Sequence, residues 1–149
     1  MSWCCELLLD GTYRLDGGGM FGVVPRVLWE RRHPPDPRNR VQLALTALLA
    51  RQGERVVLVD CGMGGGWSEK DQAIYALDRR DRSLVEELDR RGVQPEQVTD
   101  VVLTHLHFDH VGGAWDPRAQ AAVFPEAVHW VQTAQRRWAE DPTERDRGS

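Results

Sequence analysis

Residues 104–110, with the sequence THLHFDH, decide how this chain is interpreted. The stretch contains His105, His107, Asp109 and His110, so three of the five histidines and one carboxylate fall within six residues. Imidazole and carboxylate groups are the ligands that zinc and other first-row transition metals use in proteins. Because chance seldom places four such residues together, the stretch predicts a metal site.

The residues around this stretch predict how the ligands are presented. An apolar run at 101–103 reads as the end of a buried strand, and paired glycines follow the histidines. In an extended backbone, His105 and His107 point to the same side because they lie two residues apart. Asp109 and His110 come after the strand, where the chain can turn. One loop could therefore offer two ligands to each of two neighbouring metals.

The motif resembles the signature of the metallo-β-lactamase superfamily, which is His-x-His-x-Asp-His after a strand. The apolar run 56–62, VVLVDCG, is similar to an earlier strand of that family that ends in Asp-x-Gly, and Asp60 is the aspartate of this run. Residues 16–25, DGGGMFGVVP, are similar to the N-terminus of a lactonase-like branch. The resemblance extends over nearly the whole chain.

The resemblance implies an α+β (α/β) fold, the αββα sandwich of two similar halves with a metal site where the sheets meet. Complete family members are much longer than 149 residues and supply three further ligands from their second half. After His110 this chain has one more histidine, His129, in a strand-like run. We therefore expect residues 1–149 to be the N-terminal portion of a single domain. Its sheet would carry an apolar face that needs the C-terminal half, a second copy or a partner chain to cover it.

The resemblance also implies a role for each candidate residue. His105 and His107 would bind a first zinc ion. Asp109 and His110 would bind a second one, with iron or manganese as alternative metals. Asp109 is also the candidate catalytic residue, because it could orient water or carry a proton. Asp60 would hydrogen-bond a ligand or fix its loop, and a turn cap at the strand end is an equal alternative.

Three functions follow from these residues. The first is a metal-dependent hydrolase that uses metal-activated hydroxide on an ester or lactone bond, since a bound divalent metal lowers the pKa of water from about 16 to about 7. The second is an iron-dependent oxygenase similar to the persulfide dioxygenases of the same fold. The third is a non-catalytic truncated fragment. Because each metal would have only two ligands, we expect the chain alone to bind metal weakly and to have little or no activity.

Composition argues against several other partners. The net charge is −4 and no basic stripe is present, so we expect no nucleic-acid partner. No apolar run reaches the length of a membrane span, and the start of the chain lacks the pattern of a signal peptide. We therefore expect a cytoplasmic protein without a membrane partner. The three cysteines form no Cys-x-x-Cys pair, so no redox motif is predicted.

Local patterns in the first third of the chain predict strands and turns. The Asp-Gly pair at 10–11 lies between short runs and predicts a hairpin with strands at 4–9 and 12–15. The glycine-rich residues 16–22 predict a loop. Residues 41–51 carry apolar side chains at every second position, which the family resemblance makes a strand although composition alone permits a helix.

Helix and strand signals also occur in the rest of the chain, after its first third. Ser83 and Glu86 form a capping-box pattern that predicts a helix at 83–88. Its predicted apolar face consists of Leu84, Val85 and Leu88. We expect strands at 99–103 and 127–131.

Overall fold

The computed structural model describes residues 2–79 and 82–144 of the chain. Within these ranges the chain forms strands and short helices arranged around one larger sheet. The strands are β1 (Cys4–Asp16), β2 (Arg40–Gln52), β3 (Arg55–Val59), β4 (Asp100–Leu103), β5 (Trp115–Asp116), β6 (Ala121–Ala122) and β7 (Val128–Val131). The α-helices are α1 (Gly17–Phe21), α2 (Arg26–Trp29), α3 (Glu69–Tyr75), α4 (Leu84–Asp89), α5 (Phe108–Val111) and α6 (Thr133–Glu140). Turns of 3₁₀ helix lie at Pro95–Gln97 and Gly112–Ala114.

The larger sheet has the strand order β1-β2-β3-β4-β7. The first three strands pair antiparallel, whereas β3 with β4 and β4 with β7 pair parallel. β5 and β6 form a separate two-stranded pair. This mixed sheet with helices confirms the expected α+β class, and β2, β4 and β7 confirm the strands predicted in their regions.

β1 is one continuous strand, so the hairpin predicted at its Asp-Gly pair is wrong. It pairs with β2 from Cys4 to Asp16, and the register shifts between Leu9 and Gly11. Asp10 is therefore the extra residue of a β-bulge. Its buried carboxylate accepts hydrogen bonds from the backbone of Leu84 and Met63, at 2.9 and 3.3 Å. These bonds hold Asp10 and Gly11 inside the molecule, so the two residues cannot form a hairpin turn exposed to solvent.

The bulge changes which side chains of β1 face which side of the sheet. Before it, Leu8 pairs with Ala47, and after it Tyr13 pairs with Leu43. Ala47 and Leu43 lie four residues apart on β2 and so share a face. The even-numbered Leu8 and the odd-numbered Tyr13 consequently lie on the same face, which an unbroken alternation would not allow.

Helix α4 covers that face of the sheet. Its N-terminus is capped by Ser83, whose hydroxyl accepts a hydrogen bond from the backbone of Glu86 at 3.3 Å, as the sequence predicts. Val85 is 39% exposed, so its predicted place on the apolar face is wrong. It follows Leu84 by one residue, or about 100° around the helix, and points away from the sheet. The buried core beneath α4 consists of Leu8, Ala47, Leu49, Leu58, Cys61, Leu84, Leu88, Val93, Val98, Val101, Leu103 and Phe124.

The opposite face of the sheet carries an apolar row that crosses all five strands. Register pairs connect one residue of each strand: Leu7, Leu48, Val59, Val102 and Trp130. We call this set the apolar row. Leu7 is 71% exposed and Trp130 is 54% exposed, while the three central residues are half-buried. A sheet face of this kind is available for contact with another protein surface.

Residues 17–21 form the short helix α1, so the loop predicted for the glycine-rich segment is wrong there. The Asp16 carboxylate accepts a hydrogen bond from the backbone of Gly19 at 2.9 Å and so caps the helix. Phe21 at its end stacks on the buried ring of Trp29, with 4.7 Å between ring centroids. These two contacts stabilise a helical turn that the glycines alone would not favour.

No helix among the described residues has the length and apolar character needed to cross a membrane.

Candidate metal centre

The candidate residues lie at the carboxyl ends of β3 and β4. These strands are parallel neighbours, so both end at the same edge of the sheet. Asp60 follows the last residue of β3, and the backbone after Leu103 turns through residues 104–107 into α5. The sheet therefore brings together Asp60 and the histidine-rich loop, which are far apart in the sequence.

Asp60 connects this loop to one of its histidines. One carboxylate oxygen, Oδ1, accepts hydrogen bonds from the backbone and hydroxyl of Thr104 at 2.8 and 2.9 Å. The other, Oδ2, lies 2.9 Å from Nδ1 of His110 and 2.8 Å from the Thr104 hydroxyl. The buried carboxylate thus makes both contacts considered from the sequence, one to the loop and one to a candidate ligand.

The contact with Asp60 determines how the His110 ring is used. A carboxylate beside Nδ1 favours a proton on that nitrogen, which leaves Nε2 as the nitrogen able to bind a metal. In the structure, Nε2 lies 3.3 Å from Oδ2 of Asp109. Both ring nitrogens of His110 therefore face carboxylates of the protein.

The three histidine rings of the motif lie next to one another. The centroid of the His105 ring is 4.6 Å from that of His107 and 4.0 Å from that of His110. Burial lowers the pKa of His105, and the neighbouring His110 and His107 lower it further. A lowered pKa favours the neutral imidazole, which is the form that binds metal.

Asp109 makes a contact that the sequence did not reveal. The hydroxyl of Tyr13 donates a hydrogen bond to Oδ2 of Asp109 at 2.6 Å. Tyr13 is 3% exposed, and its pKa is raised by burial and then by this bond. No local sequence signal marks Tyr13, since only the shifted register at the Asp10 bulge places Tyr13 on the face towards Asp109.

His129 lies apart from the group, whereas Cys61 follows Asp60 and its backbone N–H bonds to the carbonyl oxygen of His110. His129 is exposed on β7, with Nδ1 3.1 Å from the carbonyl oxygen of Ala127. Cys61 is fully buried, and burial raises the pKa of its thiol to about 12. A protonated thiol is a poor metal ligand. A cavity of about 440 Å³ borders Cys61, Arg79 and Phe124, but none of the four motif ligands lines it.

The residues present fit zinc in kind. Imidazole nitrogens and a carboxylate are ligands that zinc accepts, and one imidazole is oriented by a buried aspartate. Over residues 2–79 and 82–144, no three His, Cys, Asp or Glu side chains are already arranged to hold a metal ion.

Comparisons with known proteins identify the family of the chain. The family model described as the metallo-beta-lactamase superfamily matches residues 42–142. An N-acyl homoserine lactonase of Bacillus cereus is 32% identical over 87 residues, which cover 52% of this chain and 34% of the lactonase.

Solved structures match the fold over almost the whole chain. A probable metal-dependent hydrolase from Staphylococcus aureus superposes with a TM-score of 0.90 at 30% identity, covering 99% of this chain and 53% of that protein. The dizinc quorum-quenching lactonase AidC superposes with a TM-score of 0.71 at 22% identity, covering 94% and 45%, and this likeness shows the fold alone. The chain thus spans about half the length of these solved relatives.

Proposed function

Because the chain belongs to the metallo-β-lactamase superfamily, we propose that it acts as a zinc-dependent hydrolase on an ester or lactone bond. The observation that carries this proposal is the 2.9 Å contact between Asp60 and Nδ1 of His110. A histidine that binds a metal usually donates its other ring N–H to a carboxylate or a carbonyl group, and Asp60 is placed to accept from Nδ1. The similarity to an N-acyl homoserine lactonase favours a lactone as the substrate class.

Four residues of the motif would hold the metal. His105 and His107 would bind one ion, and Asp109 and His110 the second. Bound zinc would lower the pKa of a water molecule and polarise the substrate carbonyl. Asp60 would keep the proton on Nδ1 of His110, and Asp109 would orient the attacking water or accept its proton.

Two ligands for each ion are fewer than the three protein ligands that a catalytic zinc usually has. We therefore expect the chain alone to bind zinc weakly and to have low activity. We propose that another protein surface, from a second copy or from a further segment, covers the apolar row and contributes the remaining ligands. The exposure of Leu7 and Trp130 supports a contact there.

A hydrolysis assay tests this function directly. The whole chain is supplied with zinc, and the protons released from N-acyl homoserine lactones and aryl esters are followed with a pH indicator. We expect a low, zinc-dependent rate that His110→Ala and Asp109→Asn abolish. His129→Ala is the matched control, because it removes an exposed histidine outside the loop, and it should leave the rate unchanged.

The hydrolysis assay, together with measurements of zinc binding and oxygen uptake, separates the alternatives. A rate that survives both loop substitutions would contradict the proposal. Iron-dependent oxygen uptake with a persulfide, in place of hydrolysis, would indicate an oxygenase. Absence of both zinc binding and turnover would leave the non-catalytic interpretation.

A further inference from the structure

We propose that Tyr13 is a positioning residue of the candidate metal centre, where its hydroxyl fixes the carboxylate of Asp109. The inference rests on the proposed role of Asp109 as a metal ligand. Tyr13 lies 96 residues before Asp109 in the sequence, and their side chains meet at 2.6 Å. Tyr13 would act through Asp109, without touching the substrate itself.

The β-bulge is what brings Tyr13 to the site. Leu7 and Leu9 lie on the face of the apolar row, so an uninterrupted strand would place Tyr13 on that face as well. The extra residue Asp10 reverses the alternation, and Tyr13 then pairs with Leu43 on the covered face. A bulge that re-aims one side chain is a recurrent device next to active sites.

Asp10 is held in the bulge by contacts of its own. Its carboxylate is buried and bonds to the backbone of Met63 and Leu84. Gly11 follows with a φ of 144°, and a Cβ there would lie 2.8 Å from the carbonyl oxygen of Asp78. The side-chain direction of Tyr13 is therefore fixed by contacts of Asp10 and Gly11, which lie earlier in the strand and away from the Tyr13 hydroxyl.

The aromatic ring of Tyr13 is held separately from its hydroxyl. The ring packs in a cluster with Leu45 and Met63 and meets Phe108 edge to face, with 6.4 Å between centroids. Phe108 is the residue before Asp109. Replacing Tyr13 with phenylalanine would keep this packing and remove only the hydrogen bond, so the role of the bond can be tested alone.

The hydrogen bond from Tyr13 is important for the position of Asp109 because Oδ2 of Asp109 has two neighbours. The Tyr13 hydroxyl lies at 2.6 Å and Nε2 of His110 at 3.3 Å. The Tyr13 hydroxyl donates to Oδ2 and would therefore keep that oxygen in place while Asp109 held a metal.

Two measurements on the full chain test the proposal. Zinc affinity is measured by competition with a chromophoric chelator for the wild-type chain, Tyr13→Phe and the control Tyr75→Phe. Tyr75 belongs to the same aromatic cluster, so its substitution removes a hydroxyl of the same kind. We expect Tyr13→Phe to weaken zinc binding about 10- to 100-fold, as is typical when a residue that orients a ligand is lost. Tyr75→Phe should change it by less than about twofold.

The second measurement needs no metal. The midpoint of urea unfolding is compared for Tyr13→Phe in the wild-type and in the Asp109→Ala background. If the hydroxyl fixes Asp109, the substitution lowers the midpoint in the wild type and loses that effect when Asp109 is absent.

Each outcome decides one claim. Equal zinc affinity of the wild-type chain and Tyr13→Phe overturns the proposal while leaving the zinc-dependent function intact. If the wild-type chain binds no zinc, the proposed function fails, and the metal-free comparison decides the role of Tyr13. If Tyr13→Phe no longer lowers the unfolding midpoint in the Asp109→Ala background, the hydroxyl positions Asp109. Equal effects of Tyr13→Phe in the two backgrounds overturn the proposal.

Discussion

The buried carboxylate of Asp60 contacts both the loop that begins at Thr104 and the candidate metal ligand His110. Burying a charge is costly unless hydrogen bonds compensate for the lost water. Thr104 supplies its backbone N–H and its hydroxyl, and His110 supplies Nδ1. The stabilisation of the loop and the orientation of the imidazole are therefore two results of the same set of bonds.

Substitution of Asp60 should affect metal affinity more than a surface carboxylate does. Asp60→Asn replaces one acceptor oxygen with a donor, so we expect His110 to lose its fixed orientation and zinc affinity to fall about 10- to 100-fold. The measurement is a zinc competition titration. Asp116→Asn is the control, since Asp116 caps the turn at Arg118 in the following segment. Equal affinity in Asp60→Asn and the wild type would refute the role of Asp60.

At the scale of the elements, β1 depends on the bulge at Asp10. Burial raises the pKa of Asp10, although the charge of Arg79 and bonds from the backbone of Leu84 and Met63 oppose that shift. The strand therefore includes a carboxylate whose partners lie in a loop and in the first turn of α4. β1 is joined to both elements through this one side chain.

Removing that side chain should destabilise the chain. Asp10→Ala leaves the backbone N–H groups of Met63 and Leu84 without their acceptor, while Arg79 keeps the carbonyl of Gly64. We expect a loss of about 2–4 kcal/mol in the free energy of unfolding. Asp16→Ala in the same strand removes an exposed helix cap and should cost clearly less. Urea unfolding followed by circular dichroism measures both. Equal losses would contradict the importance of the buried bonds.

Asp100 connects three strands and gives a prediction about pH. It accepts hydrogen bonds from Thr99, from Arg55 of β3 and from Trp130 of β7, at 2.7, 3.0 and 2.9 Å. The bond from Thr99, followed by those from Trp130 and Arg55, lowers the pKa of Asp100 below 3.8. The folded state therefore favours the charged carboxylate.

Asp100→Ala should cost about 1–3 kcal/mol at neutral pH. A lowered pKa stabilises the folded state above the unfolded value of 3.8, and this stabilisation is lost as the pH falls through the folded pKa. The difference in unfolding midpoint between the wild type and the variant should thus shrink below about pH 4. A difference that stays constant from pH 7 to about pH 3 would argue against this role.

Short-range patterns predicted the elements that position the motif, but not every residue beside it. The dense ligand residues at 104–110 are a local signal, whereas β2 is the strand that the family resemblance predicted for a run that composition alone left open to a helix. The bulge at Asp10 depends on bonds to residues 53 and 74 positions later, which no local pattern contains. The contact of Tyr13 with Asp109 depends on that bulge and was missed for the same reason.

At the scale of the whole molecule, the sheet has one covered and one open face. The covered face packs beneath α4, and the other presents the apolar row. An apolar surface that crosses every strand of a sheet favours contact with a second surface. The four motif residues at the edge of this sheet would gain additional ligands from such a contact.

Self-association should follow the apolar row. By light scattering, we expect the wild-type chain to show a mass above the 16.9 kDa of one chain as its concentration rises. Leu7→Lys places a charge on the row and should return the mass towards that of a monomer. Val27→Lys changes an exposed apolar residue on α2 and is the control. A concentration-independent monomer in the wild type would contradict association through this face.

The most direct test of the central claim is the zinc affinity of the chain with and without the motif histidines. The account predicts weak but measurable zinc binding, at least tenfold weaker in His107→Ala and in His110→Ala. His129→Ala should bind zinc as the wild type does, since it lies on β7 outside the loop. Equal zinc binding by all four proteins, or none by the wild type, would contradict a metal centre at residues 104–110.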